Sequence, residues 1–285
     1  MSSISERVAA ARRQLRNAGL SVEEADLSAR LLAEHLLGWP RETFLTESFR
    51  TEPHDFAARY DAVIARRAAR EPLPYITGQR EFWGLSLEVT PDVLIPRPET
   101  ELIVEAALDV YADRDAVFEA ADVCTGSGCV AIAIANERPA ASVLATDISE
   151  AALAIARRNA ARHNVADRIR FMCADLLASV PGPFDLIVAN PPYVRSGDRS
   201  GLQPEVREEP EVALYSGSEG LDAISRLIAQ APSRLRDGGC LIFEFGLGQE
   251  IAVEHLIGRS RALRLVDVRR DLQGIARTAI AKRTR

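Results

Sequence analysis

Two short segments of this 285-residue chain place residue types at spacings that can do chemistry. The first is Asn190-Pro191-Pro192-Tyr193, directly after the apolar run Phe184-Asp185-Leu186-Ile187-Val188-Ala189. Two consecutive prolines fix φ at both positions and end any strand or helix there. The Asn190 side chain and the Pro191 carbonyl are therefore held in a set direction. An amide oxygen and a backbone carbonyl are two acceptors that can grip a planar –NH2 group by its hydrogens. The ring of Tyr193 can lie against the flat face of the same group. Accepting both hydrogens aims the nitrogen lone pair at an electrophile, and such positioning can supply much of a rate. A proline-rich surface turn is the plain reading of any Pro-Pro pair. The place of this one, at a strand end downstream of a glycine turn and an acidic strand end, weighs against it.

The second segment is Asp122-Val123-Cys124-Thr125-Gly126-Ser127-Gly128, a strand end running into a helix. Glycines here let the backbone approach a ligand and adopt positive φ. About twenty residues on, the next strand ends in Asp147, where a carboxylate can accept both hydroxyls of a ribose. A dinucleotide site would carry a third glycine where this chain has Ala131, a permitted replacement, so the glycines alone leave NAD open. No G-x-x-x-x-G-K-[ST] run is present, which weakens a phosphate-loop site. S-adenosylmethionine has no pyrophosphate to hold, so a shorter glycine turn suffices for it. Taken with the Asn-Pro-Pro-Tyr loop, the pattern implies methyl transfer from S-adenosylmethionine, leaving S-adenosylhomocysteine, to a planar amide or amine nitrogen. A glutamine amide and the exocyclic amine of adenine both satisfy that description.

These residues need elements to hold them, and the pattern of apolar positions changes twice along the chain. Residues 4–71 read as helical. Ile4, Val8, Ala11 and Leu15 recur at helical spacing, and Ser21-Val22-Glu23-Glu24 is a capping-box start for a helix carrying Leu27, Leu31, Leu32 and Leu36. Gly38-Trp39-Pro40 stops that helix. A short helix near Arg41–Glu47 and a longer one from about Pro53 to Glu71, with Phe56, Tyr60, Val63 and Ile64 on one face, complete a small bundle (1–71). Pro72-Leu73-Pro74 breaks the pattern, residues 80–90 alternate as a strand, and 72–98 is taken as a linker. From residue 99 to 285 strands alternate with helices. Strands are expected at 117–123, 142–147, 168–173, 184–189, 239–245, 262–269 and 276–282, with helices at 99–111, 128–137, 150–163, 220–235 and 248–257. That is a doubly wound α/β domain with a mostly parallel seven-stranded sheet, its last two strands forming an antiparallel hairpin.

Composition narrows the partners. The formal charge is −6, and residues 1–71 hold eleven acidic and eleven basic side chains, so there is no basic arm and nucleic acid is not the expected partner. The four cysteines, Cys124, Cys129, Cys173 and Cys240, form no C-x-x-C pair, and no histidines stand at metal-ligand spacing. Buried free thiols and no metal are expected. Neither a signal peptide nor a membrane span is legible, so the expectation is a cytoplasmic protein with no membrane contact, working as a monomer. Glu99 and Glu101, near a helix start, are as readily dipole-favourable charges as site residues. Glu244, at the end of a buried strand, reads equally well as functional or structural. His35, His54, His163 and His255 lie in helical stretches and are assigned no chemistry.

With those residues in view, the sequence resembles the HemK/PrmC-type protein-(glutamine-N5) methyltransferases, which modify class-I peptide chain release factors. The likeness spans almost the whole chain. Glu81-Phe82-Trp83-Gly84 and Ile95-Pro96-Arg97-Pro98-Glu99-Thr100-Glu101 look like the family's linker signature. Glu209-Pro210-Glu211-Val212-Ala213-Leu214 looks like its Glu-Pro-x-x-Ala-Leu segment, and Asp271, Gly274 and Arg277 like its C-terminal Asp-x-x-Gly-x-x-Arg. The resemblance implies a helical N-terminal domain, a β-hairpin linker and a Rossmann-like methyltransferase domain. It implies that Cys124, Thr125, Gly126, Ser127 and Gly128 line the methionine and ribose side of S-adenosylmethionine, and that Asp147, with Ile148 beside it, holds the ribose. Leu176, after Asp175, would flank the adenine. Asn190, Pro191, Pro192 and Tyr193 would bind the glutamine amide, with Asn190, Pro191 and Tyr193 acting in catalysis and Asn190 also bordering the cofactor. The chain departs from the family at Cys124, usually Gly, at Leu176 and Glu208, often aromatic, and at Glu219, usually Asp. The implied reaction is N5 methylation of the glutamine in a release factor's Gly-Gly-Gln motif. Methylation of a ribosomal-protein glutamine is the nearer alternative, and N6-adenine DNA methylation the more distant one, since it must extrude a base and grip a polyanion.

Overall fold

The computed structural model describes residues 2–284. They form two compact units. One reaches Gly78 from the N-terminal side and also holds Gln203–Glu208, and the other comprises Gln79–Leu202 and the chain from Glu209 onward. The segment 72–98 thus divides after Gly78.

The first unit is helical, with α1 (Ile4–Asn17), α2 (Val22–Leu37), α3 (Arg41–Glu47), α4 (Phe56–Ala68) and α5 (Leu73–Thr77). Capping boxes at Ser3–Glu6 and Ser21–Glu24 start α1 and α2, satisfying N–H groups that a helix start leaves bare. Ile4, Val8, Ala11 and Leu15 are buried on α1, and Phe56, Tyr60 and Ile64 on α4, as their spacing predicts. Helix α2 departs from its expected face. Ala25, Ser28, Ala29, Leu32 and Ala33 are buried, while Leu27 is 47% exposed. The helix has apolar residues on more than one side, and its small-residue face lets α1 and α4 approach closely. The Tyr60 hydroxyl donates to the Ala29 carbonyl there, at 2.7 Å. The prolines at 72 and 74 open α5 rather than only ending the helical region, because proline loses no hydrogen bond in a first helical turn. Glu205 fastens the segment 203–208 within this unit by accepting from Arg67 and Arg70, both at 2.8 Å.

The second unit begins with the hairpin β1 (Gln79–Phe82) and β2 (Leu85–Glu88). Alternation alone reads 80–90 as one strand. The chain instead reverses at Trp83-Gly84, both at positive φ (53° and 69°), in a two-residue turn whose twist suits a hairpin. A single 3-10 turn at Pro98–Thr100 leads into α6 (Glu101–Val110). Next come β3 (Glu119–Val123), α7 (Cys129–Glu137), β4 (Ser142–Asp147), α8 (Glu150–Arg162), β5 (Ile169–Cys173) and β6 (Phe184–Ala189). The chain then forms α9 (Glu211–Leu214), α10 (Asp222–Gln230), β7 (Leu235–Glu244), α11 (Glu250–Arg259), β8 (Leu263–Arg270) and β9 (Ala276–Arg283). The helix expected over 220–235 stops at Gln230 and tightens through Ala231–Ser233 into β7, which starts four residues earlier than its apolar run suggests. Pro232 cannot continue an α-helix.

Seven strands make one sheet in the order β5-β4-β3-β6-β7-β9-β8. The pairs are parallel except those of β9, which runs against both β7 and β8. This is the mostly parallel, Rossmann-like sheet that the alternation implies. Side chains alternate between two cores, as a pleated strand requires: Leu186 and Val188 enter one, Ile187 and Ala189 the other. The chain adds strands outward from β3 through β4 to β5, then returns to place β6 on the opposite side of β3. Such a reversal leaves a crevice at the carboxyl ends of the strands.

Candidate active site

At that crevice Val123 and Ala189 pair in register, so Cys124 and Asn190 leave the sheet side by side. Val123 pairs on its other flank with Thr146, and Asp147 follows opposite Cys173. The two sequence segments with chemical potential are thereby brought to one place. A cavity of about 360 Å³ stands there, within the size range of small-molecule sites. Cys124, Thr125, Gly126, Ser127, Asp147, Ile148, Asp175, Leu176, Asn190 and Pro192 all line it. Gly128 is not among the lining residues. A Cβ at Gly128 would meet Ala156 Cβ and Ile132 Cδ1, both at 3.1 Å, so this glycine allows close packing at the start of α7 rather than ligand approach.

Two carboxylates organise the glycine turn. Asp147 accepts from the Gly126 N–H and the Ser149 N–H, both at 2.9 Å and one on each oxygen, which leaves a lone pair on each for a ligand hydroxyl. Burial raises its pKa, against the pull of those N–H groups. Asp122, 1% exposed, accepts from the Thr125 hydroxyl at 2.6 Å and the Ala131 N–H at 3.1 Å. Burial pushes it up to about 7, with the Thr125 and Ala131 hydrogen bonds opposing. Ser127 Oγ is buried at the cavity wall without a partner among the described residues. A polar ligand is the ordinary means of satisfying such an atom. Cys124 and Leu176 hold left-handed backbone conformations, with φ of 60° and 53°. For residues bearing a Cβ this stores strain beside the cavity.

The Asn190 loop is tied from behind. Asn190 Nδ2 donates to Thr100 Oγ1 at 3.0 Å, and the Thr100 hydroxyl donates to Glu244 Oε2 at 2.7 Å. The Tyr193 hydroxyl donates to Glu244 Oε1 at 2.8 Å. Glu244 is 1% exposed and ends β7 one residue beyond Phe243, the register partner of Ala189. Burial raises its pKa, while the Thr100 and Tyr193 hydroxyls oppose the rise. Burial, and then Glu244, hold the Tyr193 hydroxyl well above its ordinary range. Gln249 Nε2 donates to the Tyr193 carbonyl at 3.1 Å and to the Gly220 carbonyl at 3.3 Å, clasping the loop's far end.

Sequence reasoning thus brings these segments together, and two of the residues it singles out stand back from the cavity wall. Pro191 is buried, and neither it nor Tyr193 is among the cavity-lining residues. Tyr193 instead spends its hydroxyl on Glu244 and packs against the core on one face of the sheet, its ring close to Gly246. In the sequence Thr100 is visible only as part of a signature, and Glu244 only as an ambiguous strand end. A further wall includes Pro96, Pro210 and Val212, visible in the sequence only within the two signature segments, and Leu94, which has no signal there. Glu209 joins its two sides, accepting from the Ile95 N–H at 3.0 Å and from Arg97 at 2.5 Å. All four cysteines are free, but Cys173 is exposed and Cys124 half-buried, so that only Cys129 and Cys240 are buried. Among the described residues no group of three or more acidic, His or Cys side chains could hold a metal ion, and no helix is long and apolar enough to cross a membrane.

Comparison with known proteins agrees with this geometry. Residues 6–78 match the family described as PrmC N-terminal domain, and residues 101–206 the family described as methyltransferase small domain. The release factor glutamine methyltransferase of Cereibacter sphaeroides is 41% identical over 268 residues, covering 94% of each chain. That of Burkholderia pseudomallei is 44% identical over 261 residues, 89% of this chain and 90% of its own. Among solved structures, the ribosomal protein L11 methylase of Lactobacillus delbrueckii subsp. bulgaricus aligns with a TM-score of 0.51 and 27% identity, over 66% of this chain and 81% of that one.

Proposed function

The chain belongs to the release factor glutamine methyltransferase family, and from that premise we propose that it transfers a methyl group from S-adenosylmethionine to the side-chain amide nitrogen of the glutamine in the Gly-Gly-Gln motif of class-I peptide chain release factors. The observation that carries this reading is the tethered Asn190. With Nδ2 committed to Thr100, the amide has its oxygen left to offer at the cavity, and an oxygen is what a substrate –NH2 group needs.

The residues present suit the cofactor. Asp147 has free lone pairs for ribose hydroxyls, the unpartnered Ser127 Oγ can meet the polar methionine end, and Asp175 and Leu176 border the region left for adenine. When bound, S-adenosylmethionine supplies an electrophilic methyl on sulfur. Asn190 Oδ1 and the Pro191 carbonyl accept the two amide hydrogens and so fix the direction of the nitrogen lone pair. A neutral amide is a poor nucleophile, and the loop offers acceptors rather than a base, so orientation is the loop's main contribution. Tyr193 acts by bracing the loop through Glu244 rather than by meeting the substrate with its hydroxyl. In this reading the enzyme works as a monomer in the cytoplasm, without a metal.

The likeness to a ribosomal protein L11 methylase supports a ribosomal-protein substrate as the second reading, and the Asn190 loop would take a glutamine there. That likeness covers less of the chain, at lower identity, than the release-factor relatives do. Intact-mass measurement separates the two. With S-adenosylmethionine, an unmodified class-I release factor should gain one methyl group, while ribosomal proteins and adenine-containing DNA gain none. A release factor of unchanged mass would overturn the proposal.

A further inference from the structure

Resting on that functional reading, we infer that Glu244 is a positioning residue that sets the hydrogen-bond polarity of the active-site amide, and so decides that the site receives an –NH2 donor. A carboxylate only accepts hydrogen bonds, and a hydroxyl has a single proton to give. Glu244 takes that proton from Thr100 on Oε2 and the proton of Tyr193 on Oε1. Thr100 Oγ1, its proton spent, can meet Asn190 only as an acceptor. Asn190 must therefore present Nδ2 to Thr100, as it does at 3.0 Å, and turn Oδ1 the other way. The order of donors and acceptors runs without a break from a buried carboxyl group on β7 to the atom that would hold the substrate. Reversing any link would offer the substrate an N–H where it needs an oxygen. The two hydroxyls oppose the rise that burial imposes on the Glu244 pKa, and one hydroxyl donating to each oxygen fixes the direction.

Glu244→Gln tests this because it preserves shape and removes one acceptor. If the Nε2 of the substituted side chain faces Thr100, the Thr100 proton loses its acceptor unless Asn190 flips. If that Nε2 faces Tyr193, the Tyr193 proton loses its acceptor instead. Either way the loop is disturbed without loss of packing volume. The expected result is a fall of tenfold or more in kcat for release-factor methylation, with the calorimetric Kd for S-adenosylmethionine within about twofold of wild type. The decisive arm is Glu244→Gln combined with Asn190→Asp. In that variant the Nε2 at position 244 can donate to Thr100, Thr100 can donate to one oxygen at position 190, and the other oxygen faces the cavity as an acceptor. Tyr193 keeps its acceptor on the Oε1 at position 244. The combined variant should recover at least tenfold over Glu244→Gln, a rescue that a merely space-filling role does not give. Wild-type kcat in Glu244→Gln, or a combined variant no faster than Glu244→Gln, would overturn the inference while leaving the reaction intact. A wild-type enzyme inactive on release factor would instead overturn the functional reading.

Discussion

Asp122, buried, and Asp147, half-buried, are both acids at the glycine turn, yet they answer to different tests. Asp147 uses both oxygens, holding Gly126 and Ser149 by their N–H groups. Asp147→Asn leaves one of those donors facing an amide –NH2 and removes the charge that would meet ribose hydroxyls. Hydrogen bonds to charged groups contribute about 1.5–3 kcal/mol, so the Kd for S-adenosylmethionine should weaken on the order of ten- to a hundredfold by calorimetry. An unchanged Kd would remove Asp147 from the cofactor site. Asp122 is raised from its ordinary carboxylate range to about 7 by burial. Between those values the folded chain holds a proton that the unfolded chain has released, so stability from this group is fully present below the unfolded value and is lost as pH rises through about 7. Asp122→Asn keeps an oxygen for Thr125 and Ala131 but has no charge to desolvate. Relative to wild type it should gain stability on going from about pH 4.5 to about pH 7.5, by up to about 3 kcal/mol at 1.36 kcal/mol per pKa unit. Urea unfolding of both proteins at the two pH values measures this, and a pH-independent difference would contradict it.

The elements matter through the loops they end in. The Asn190–Tyr193 loop runs off β6 and is seated against Gly220, which has a φ of 72° and where a Cβ would lie 2.2 Å from the Tyr193 carbonyl oxygen. Gly220→Ala should displace that carbonyl from Gln249, lowering kcat at least tenfold and lowering the thermal midpoint. Activity and melting temperature both equal to wild type would show that the seat is not needed. Much of this level is legible in the sequence. Each sheet strand announces itself as a short apolar run, and β3, β4 and β6 lead into or end at Cys124 to Gly128, Asp147 and Asn190 respectively. A parallel sheet then does the rest, because register alone brings those ends together. The illegible part depends on contacts between distant residues. Thr100 and Glu244 are 144 positions apart, and no local pattern couples them. The short structures between 194 and 217 have no apolar period, since they are fixed by pairings such as the Val194 N–H to the Leu214 carbonyl at 2.8 Å. Spacing misplaces Leu27 because α2 offers two apolar faces, and only packing chooses between them.

At the scale of the molecule, charge and domain content bear on what kind of substrate reaches the cavity. The chain carries −6 overall, and its first 71 residues balance eleven acidic against eleven basic side chains. An enzyme that extrudes an adenine must grip phosphates, and such binding is strongest at low salt. Adenine-containing duplex DNA should therefore show no retardation in a gel at about 50 mM salt; tight, salt-sensitive binding would return nucleic acid to consideration. The relatives at 41% and 44% identity are release factor glutamine methyltransferases, named for a protein substrate instead. The central claim is that Asn190 holds a glutamine amide for methylation, and the most direct measurement is to locate the methyl group by tandem mass spectrometry. A class-I release factor treated with wild-type enzyme and S-adenosylmethionine should carry one methyl on the glutamine of Gly-Gly-Gln, and none after treatment with Asn190→Ala. A methyl on any other residue, or an Asn190→Ala enzyme that methylates that glutamine at the wild-type rate, would contradict it.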